Sequence, residues 1–453
     1  MRPRRLSEVA RATDGRLRGS DATVSSVGID SRRVGAGDLF VALPGEHTDG
    51  HAFVADALHR GAAGAVVGRT VSADGPTIEV RDTGQALLAL AADERASMDV
   101  TVIGVTGSNG KTSTKDLAAA VLASRFRTHA SPASFNNEIG LPLTVLGAPR
   151  GTEVLVAEMG ARRAGDVALL SRIARPSLVV VTNVGVAHME VFGSWGAITE
   201  AAAEPVEALD ARGTALLNAD DPLVLALAER TPARVITFGT GDHAEVRADD
   251  LVLNRSGTVS FVLVVGEDRE PVELAVPGAH MVSNALAATA CGIALGVSPA
   301  ECAASLKGAR ISRWRMERFT TEQGVSVVND AYNANPESMA AGLRTARWMA
   351  SEGRLVAVLG HMAELGPIAV EEHERLGELV VRLGVDRLIT VGEQARSIAR
   401  SAVREGQLPE DVASYEDPDQ VVEDLRGWLR AGDVVLIKGS RVAGLERLAE
   451  ALR

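Results

Sequence analysis

Apolar and polar positions alternate differently in three successive stretches of the chain. Up to about residue 98, short apolar runs are interrupted by turns, and the stretch ends in the helix-like GQALLALAADERASM. The second stretch begins with VTVIGVTG, a β-branched run that enters a glycine turn and precedes the helical pattern KTSTKDLAAAVLAS. This order of strand, loop and helix is typical of a parallel α/β sheet.

The second stretch continues as alternating strands and helices. Four further apolar runs have the length of buried strands: EVLVAEMG, SLVVVTNVG, GTALLNAD and ARVITFG. From about 244 to 277 the chain alternates at period two, which predicts a small antiparallel excursion. The patterns HMVSNALAATACGIAL and SPAECAASLKGA predict two helices after it.

The third stretch starts near ISRWRMERF and predicts a second open α/β sheet. Its strand runs, separated by helical patterns, are VSVVNDA, RLVAVLG, DRLITVG and DVVLIKGS. With 453 residues, the chain is long enough for about three domains. We therefore predict an α/β protein with a small N-terminal α/β domain (1–98), a central parallel-sheet domain (99–311) and a C-terminal Rossmann-like domain (312–453).

Composition narrows the functional classes. The net charge of −12 argues against nucleic-acid binding, which needs a basic face. The basic N-terminus is not followed by an apolar run, so no secretory signal is predicted, and no stretch reaches the ~18 apolar residues of a membrane span. Cys291 and Cys302 lack metal-ligand spacing and are interpreted as buried thiols. We expect a cytoplasmic protein.

The stretch TGSNGKTST carries the clearest chemistry. A glycine turn between a strand and a helix points backbone N–H groups at phosphate oxygens, and the helix N-terminus adds a favourable field. Lys111 is expected to neutralise phosphate charge and Thr112 to offer its hydroxyl to Mg²⁺. The nucleotide-binding candidates are Gly107, Ser108, Asn109, Gly110, Lys111, Thr112 and Ser113. The spacing departs from G-x-x-x-x-G-K-[ST], because Val105 stands where the first glycine belongs. The alternative is a tight turn with a surface lysine.

Two further candidates follow neighbouring strands of the central sheet. Glu158 ends one strand and His188 lies in the loop after the next, where active sites of open α/β sheets form. Near a phosphate loop they are candidate Mg²⁺ ligands. Alone, either is more often structural. Asn136 and Asn137 either form a turn or bind a polar substrate.

The third stretch places polar groups at two strand ends. NDAYNANPESM carries Asp330, Tyr332, Asn333 and Asn335 before a helix that begins near Pro336, which is also the pattern of a capped helix start. IKGSR carries the second group: Lys438, Ser440 and Arg441. Both groups could face a nucleotide across a cleft.

Together these motifs resemble the Mur ligases of peptidoglycan synthesis, ATP-dependent amide ligases with three domains. The resemblance rests on TGSNGKTST, FNNEIGLP, AEMGA, NVGVAHMEVFGS, NALAATA, NDAYNANPESM and IKGSR. The short phosphate loop is typical of that family. The stretch that starts at DSRRVGAGDLF resembles the family's UDP-sugar-binding domain. The likeness covers nearly the whole chain.

Two members of the family are candidate matches for this chain. The one that adds the third amino acid typically carries DNPR in its last domain, and this chain has no such motif. DAYNANPESM, AELG and KGSR instead resemble the member that joins D-alanyl-D-alanine to UDP-N-acetylmuramoyl-tripeptide, with ATP and Mg²⁺. The mechanism implied is attack of the tripeptide carboxylate on ATP, giving an acyl phosphate, then attack by the dipeptide amine. A monomer is expected.

The resemblance also implies roles for individual residues. Lys111 and Thr112 serve the triphosphate and its Mg²⁺, while Glu158 and His188 hold a metal and act in catalysis. The adenosine contacts are Asn284, Tyr332 and Asn333. The substrate contacts are Asp30, Ser31 and Arg32 for the UDP-sugar, Asn136 and Asn137, and Lys438, Ser440 and Arg441 on the dipeptide side.

Three positions depart from the family pattern. Ala202 stands where the family usually has a lysine that becomes a metal-binding carbamate, and no lysine lies between Lys115 and Lys307. Glu200 or Glu204 is a candidate replacement. The other departures are His361 in place of an aspartate and Met281 in place of an asparagine. They motivate a second hypothesis: a nucleotide- and UDP-sugar-binding homologue with little catalysis.

Overall fold

A computed structural model describes residues 1–45, 48–186, 189–351 and 353–453. In the N-terminal part, the sheet runs in the order β2-β7-β6-β5-β4, with β2 antiparallel to its neighbour and the rest parallel, while β1 and β3 form a separate antiparallel pair. The elements are β1 (Arg4–Arg5), α1 (Leu6–Ala12), β2 (Arg16–Arg18), β3 (Thr23–Val24), β4 (Ser26–Gly28), β5 (Asp38–Val41), α2 (Val54–His59), β6 (Gly64–Val67), β7 (Thr77–Glu79) and α3 (Thr83–Ala96).

The central sheet runs in the order β16-β15-β14-β13-β12-β11-β8-β10-β9. It is parallel from β9 to β14 and antiparallel across β14, β15 and β16. Its elements are β8 (Thr101–Thr106), α4 (Lys111–Leu122), β9 (Thr128–Ala130), α5 (Gly140–Gly147), β10 (Val154–Glu158), α6 (Asp166–Ala174), β11 (Leu178–Val181), α7 (Met189–Phe192), α8 (Trp195–Glu207), β12 (Thr214–Asn218), α9 (Pro222–Leu225), β13 (Arg234–Gly239), β14 (Val246–Leu253), β15 (Thr258–Val265), β16 (Asp268–Pro277), α10 (Met281–Ala294) and α11 (Pro299–Lys307).

The C-terminal sheet runs in the order β17-β18-β22-β19-β20-β21 and is parallel except for β17. Its elements are β17 (Glu317–Thr320), β18 (Ser326–Asp330), α12 (Pro336–Ala350), β19 (Leu355–Gly360), α13 (Ala369–Arg382), β20 (Arg387–Val391), α14 (Arg396–Arg404), β21 (Val412–Tyr415), α15 (Pro418–Trp428), β22 (Val434–Lys438) and α16 (Glu446–Ala451). The predicted α/β class, parallel sheets and antiparallel excursion are confirmed.

The strand order explains how distant motifs meet. In the central sheet β8 lies between β10 and β11, so the phosphate loop after β8, Glu158 at the end of β10 and the loop after β11 share one edge. In the C-terminal sheet β18 and β22 are neighbours, and their register pairs Asp330 with Lys438. Strands β8, β10 and β22 are buried on both faces of their sheets. This is why their sequences are nearly continuous apolar runs.

Two apolar cores cross between the sheets. Helices α4 and α10 pack together on the central sheet, in a core that continues into the C-terminal one. On the other side, α3 packs against α5 and α6, so the N-terminal part shares a core with the central sheet. Within the described ranges, no helix combines the length and the apolarity needed to cross a membrane.

Candidate functional site

The loop between β8 and α4 has a backbone that only glycine permits at two positions. Gly107 and Gly110 have φ of +127° and +79°. A Cβ on Gly107 would lie 2.2 Å from Thr182 Oγ1, and one on Gly110 would lie 2.3 Å from Asn284 Oδ1. The backbone N–H groups of Ser108 and Asn109 donate to Asn183, at 2.9 and 2.8 Å. The loop is therefore held in one conformation before any ligand arrives.

Lys111 begins α4 and folds back over this loop. Its Nζ donates to Gly107 O at 2.6 Å and to Ser108 O at 3.1 Å. Burial lowers the pKa of the Lys111 ammonium, and the nearby Arg315 lowers it further, while Glu158 raises it. An anion bound in the loop would raise the pKa of this ammonium again.

Glu158, at the end of β10, is a buried carboxylate with one oxygen unused. Its side chain receives hydrogen bonds at Oε1 from Thr112 Oγ1 (3.0 Å) and Asn136 Nδ2 (2.8 Å), and the residue is 1% exposed. Oε2 has no hydrogen-bond partner among the described residues. A buried carboxylate oxygen without a partner, next to a threonine hydroxyl, is a donor set that suits a hard divalent cation.

His188, predicted as a metal ligand and catalytic residue, lies outside the described residues. Among the residues that are described, no cluster of three or more His, Cys, Asp or Glu side chains is positioned to hold a metal. Among the described residues, the candidate metal ligands at the loop are therefore Glu158 and Thr112.

Ala202 faces the phosphate loop from α8, where the family's lysine was expected. A cavity of about 30 Å³ separates the helix from the loop, and its lining includes Lys111, Phe192, Ile198 and Ala201 as well as Ala202.

Neither proposed replacement for that lysine has a hydrogen bond with the loop. Glu200 forms a bidentate pair with Arg230, at 2.9 and 2.7 Å. Glu204 accepts the backbone N–H groups of Gly165 (2.6 Å) and Ala168 (2.7 Å) at the start of α6. The expectation that one of them substitutes for the lysine does not match this arrangement, because both carboxylates are already satisfied elsewhere.

Arg315, which the sequence reasoning missed, reaches the phosphate loop from the segment before β17. Its Nη2 donates to Thr112 Oγ1 at 2.8 Å, and its guanidinium lies 4.2 Å from the centre of the Tyr332 ring. Its Nε is buried and has no partner among the described residues. The stretch ISRWRMERF predicts only a domain start, because nothing in its sequence indicates contact with a loop 203 residues away.

A second group of contacts joins α12 to the phosphate loop. Glu337 Oε2 accepts Asn109 Nδ2 at 2.7 Å, and Glu337 Oε1 accepts Val186 N at 3.0 Å. Asn335, which caps α12, donates from Nδ2 to Asn109 Oδ1. We call Glu337, Asn335, Asn109 and Val186 the α12 clasp, since together they hold the C-terminal sheet against the central one.

The candidates at the strand ends of the C-terminal sheet differ in how far their side chains are exposed. Lys438 is 2% exposed, and its Nζ donates to Asp330 Oδ2 (2.6 Å) and Asn333 O (3.0 Å). Ser440 is buried, and its Oγ accepts Ala363 N at 2.8 Å. Arg441 is exposed, pairs with Glu446 and lies over the ring of Trp314.

The remaining nucleotide and substrate candidates also differ in burial and in the hydrogen bonds that their side chains make. Asn284 is buried beside Gly110 and accepts Thr114 Oγ1 at 3.2 Å. Asn136 contacts Glu158, as described above, whereas Asn137 Oδ1 accepts the backbone N–H of Gly140, the first residue of α5, at 2.8 Å. Ser113 is buried in the first turn of α4.

The predicted UDP-sugar residues form a local turn. Arg32 binds both carboxylate oxygens of Asp30, at 2.9 and 2.8 Å, and these hydrogen bonds lower the pKa of Asp30 to about 2. Ser31 is 7% exposed. The cleft described below is lined on this side by Ile29 rather than by these three residues.

The two other departures differ in burial: Met281 is buried and His361 is partly exposed. Met281 is 1% exposed, and its sulfur accepts Asn284 Nδ2 at 3.5 Å. The backbone O of His361 accepts Ser440 N at 3.0 Å. Burial lowers the pKa of His361, and His373 lowers it further, so the neutral form is favoured.

All three sheets contribute to one cleft of about 1260 Å³. Its central wall carries Lys111, Thr112 and Glu158, and its C-terminal wall carries Arg315 and Tyr332. The N-terminal wall is formed by Ile29, Leu43, Pro44, Asp82, Gln85 and Leu88. The cleft can thus hold a phosphorylated ligand at the loop and a long second ligand that extends towards the N-terminal sheet.

Comparison with known proteins agrees with this arrangement. Family models match at residues 23–95 (Mur ligase family, catalytic domain), 105–292 (Mur ligase middle domain) and 314–441 (Mur ligase, glutamate ligase domain). The chain is 42% identical to the UDP-N-acetylmuramoyl-tripeptide–D-alanyl-D-alanine ligase of Mycobacterium tuberculosis, over 94% of this chain and 92% of that protein.

Two solved structures have the same overall fold. MurF ligase from Thermotoga maritima, in complex with ADP, superposes with a TM-score of 0.81 at 29% identity, covering 95% of this chain and 97% of that one. The UDP-N-acetylmuramoylalanyl-D-glutamyl-2,6-diaminopimelate–D-alanyl-D-alanyl ligase from Acinetobacter baumannii superposes with a TM-score of 0.86 at 28% identity, covering 99% and 98%.

Proposed function

The chain belongs to the Mur ligase family, and from this premise we propose that it joins D-alanyl-D-alanine to UDP-N-acetylmuramoyl-tripeptide at the expense of ATP. One observation carries the proposal: Lys111, Glu158 and Arg315 converge at one end of a cleft that all three sheets line. The relative from Mycobacterium tuberculosis, similar over almost its full length, supports the choice of substrates.

The two long substrates fit different ends of the cleft. The triphosphate lies in the loop of Gly107 to Ser113, with the adenosine near Asn284, Tyr332 and Asn333. The UDP-sugar extends to the N-terminal sheet and its peptide points back to the loop. We propose domain boundaries at 1–98, 99–311 and 312–453, so that each domain supplies one wall. Because one chain supplies every wall, we propose a monomer, acting in the cytoplasm.

The reaction proceeds in two transfers. A carboxylate oxygen of the tripeptide attacks the γ-phosphorus of ATP, the bond to the β-phosphate oxygen breaks, and ADP leaves with that electron pair. The dipeptide amine then attacks the acyl carbon, loses a proton, and inorganic phosphate leaves with the former carboxylate oxygen. Since negative charges must approach each other, catalysis depends on positioning and on neutralising charge.

The cations at the loop meet this need. The Lys111 ammonium exchanges its two loop carbonyls for phosphate oxygens. Arg315, already directed at Thr112, supplies a planar guanidinium that can bind two phosphate oxygens. The α12 clasp keeps the C-terminal wall against the loop while both transfers occur.

Mg²⁺ fits the oxygens beside the loop. Thr112 Oγ1 and the unpartnered Oε2 of Glu158 would hold it, with His188 as a third candidate from the resemblance. When bound, the ion neutralises phosphate charge. Without a cation, the Glu158 carboxylate would repel the triphosphate. Binding of the triphosphate next to Glu158 therefore requires a cation between them.

Substrate-dependent formation of ADP tests the proposal. With UDP-N-acetylmuramoyl-tripeptide and ATP, D-alanyl-D-alanine should raise the steady rate of ADP release, and a free diamino acid should not. Productive use of the diamino acid with a dipeptide-linked UDP-sugar would instead identify the ligase that adds the third residue. Tight binding of ATP and UDP-sugar without ADP release would identify a binding homologue.

A further inference from the structure

Two neighbouring arginines lie in the loop between β10 and α6. Arg162 and Arg163 are both exposed and both line the cleft. Helix α6 packs against α3, whose first turn carries Gln85 on the same cleft wall. The loop therefore lies where the central and N-terminal walls meet.

The two arginines differ in what holds them. Arg163 Nε donates to Asp166 Oδ1 at 3.1 Å, and Asp166 Oδ2 accepts the backbone N–H groups of both arginines at 3.0 Å. The Arg162 guanidinium, in contrast, has no hydrogen bond or ion pair with any residue in the described ranges. The charge of Arg163 is thus neutralised by the Asp166 carboxylate, whereas Arg162 presents an unpaired positive charge.

The other lysines and arginines that line the cleft in the described part of the chain have partners. Lys111 contacts carbonyls of its own loop and Arg315 contacts Thr112. Lys438 and Arg441 pair with carboxylates within the C-terminal domain. Of the positively charged side chains that line the cleft in these ranges, Arg162 is thus the one that is available to bind an anionic group of a ligand.

We infer that Arg162 is a specificity-determining residue, which binds a carboxylate of the substrate's peptide other than the one that reacts. This inference rests on the proposed function. A tripeptide with a glutamyl residue, as in the substrate named for the relative from Acinetobacter baumannii, uses one glutamyl carboxyl in the chain and leaves the other free. A guanidinium binds such a group through two parallel N–H···O bonds.

The position of Arg162 suits this role. The reacting carboxylate must lie at the phosphate loop, and the UDP-sugar must lie towards the N-terminal wall, so the glutamyl residue spans the part of the cleft between them. Arg162 lies at that junction. A charge-assisted contact there would hold the peptide in register, and it would discriminate against peptides that lack the second carboxylate.

Direct binding, without ATP, provides the test. We expect Arg162→Gln to weaken binding of UDP-N-acetylmuramoyl-tripeptide by at least about 10-fold, as for loss of a charge-assisted hydrogen bond. With an analogue whose free glutamyl carboxylate is a carboxamide, wild type and Arg162→Gln should bind alike. Arg162→Lys should recover part of the affinity. Arg163→Gln is the matched control and should change affinity by less than about threefold.

Calorimetry of the four proteins with both ligands gives the decisive comparison, and circular dichroism verifies folding. An unchanged affinity of Arg162→Gln for the carboxylate ligand, or an equal loss for both ligands, would overturn the inference. Failure of the wild type to bind the UDP-tripeptide would overturn both proposals. Binding that depends on Arg162, with no product on adding ATP and dipeptide, would contradict the proposed function alone.

Discussion

At the scale of single residues, Lys111 links charge to ligand binding. Its ammonium contacts two backbone carbonyls in a partly buried position, and its pKa lies below the ordinary 10.5. Phosphate oxygens would raise the pKa again. At pH values between the pKa of the empty site and that of the complex, the empty site is partly deprotonated and the complex is protonated, so nucleotide binding should take up a proton.

Calorimetry of ADP binding in two buffers of different ionisation enthalpy measures this uptake. Lys111→Gln should abolish the uptake and reduce kcat/KM by roughly 100-fold or more. Lys307→Gln, which removes a lysine from the last turn of α11, serves as the control and should change neither. Proton uptake that persists in Lys111→Gln would show that another group titrates.

Ala202 gives a second prediction at this scale. A longer side chain at this position would enter the cavity that Ala202 shares with Lys111. Ala202→Lys should therefore destabilise the protein by about 1–3 kcal/mol, because Ala202 is buried and the change places a second ammonium near that of Lys111. Thermal unfolding measures this, with Thr199→Lys, at a partly exposed position on the same helix, as the control. Retained stability together with activity raised by bicarbonate would show that the cavity opens to hold a carbamate.

Residues were predictable from the sequence where their chemistry depends on adjacent positions. The Gly107–Lys111–Thr112 spacing indicates a phosphate loop because neighbours in sequence form it. Arg315 could not be found this way, because its contact with Thr112 depends on how two domains face each other. The contacts of Glu200 and Glu204 could not be predicted for a related reason: their partners, Arg230 and the start of α6, come from other elements.

At the scale of elements, the sequence predicted the long buried strands and most helices. Their apolar runs are long enough to be distinctive, and the antiparallel excursion at 244–277 matches β14 to β16. The short strands β9, β17 and β21 were missed. Each has three or four residues and none of them is fully buried, so the apolar signal is weak.

The α12 clasp yields a prediction for an element. Glu337 Oε1 is the acceptor for Val186 N, so Glu337→Ala should expose that amide and speed its hydrogen exchange by about 10-fold or more. Glu371→Ala, which removes an exposed glutamate on α13, is the control. Unchanged exchange at Val186 in Glu337→Ala would show that the clasp does not hold the loop closed.

At the scale of the whole molecule, three sheets enclose one cleft because apolar cores continue across their junctions. The sequence predicted how many domains to expect, since strand and helix patterns change near residues 98 and 311. It also predicted polar strand ends of the C-terminal sheet that face the nucleotide across a cleft, but not how the N-terminal wall packs against the central one. That depends on packing between elements far apart in the chain, such as α3 against α6.

We propose that the protein catalyses peptide-bond formation between the two substrates in this cleft. The most direct measurement is mass spectrometry of the UDP-sugar after incubation with ATP, UDP-N-acetylmuramoyl-tripeptide and D-alanyl-D-alanine. We predict a product heavier by the dipeptide less one water, with one ADP formed for each product molecule. ADP formed without that product, or an unchanged UDP-tripeptide when all substrates are bound, would contradict the claim.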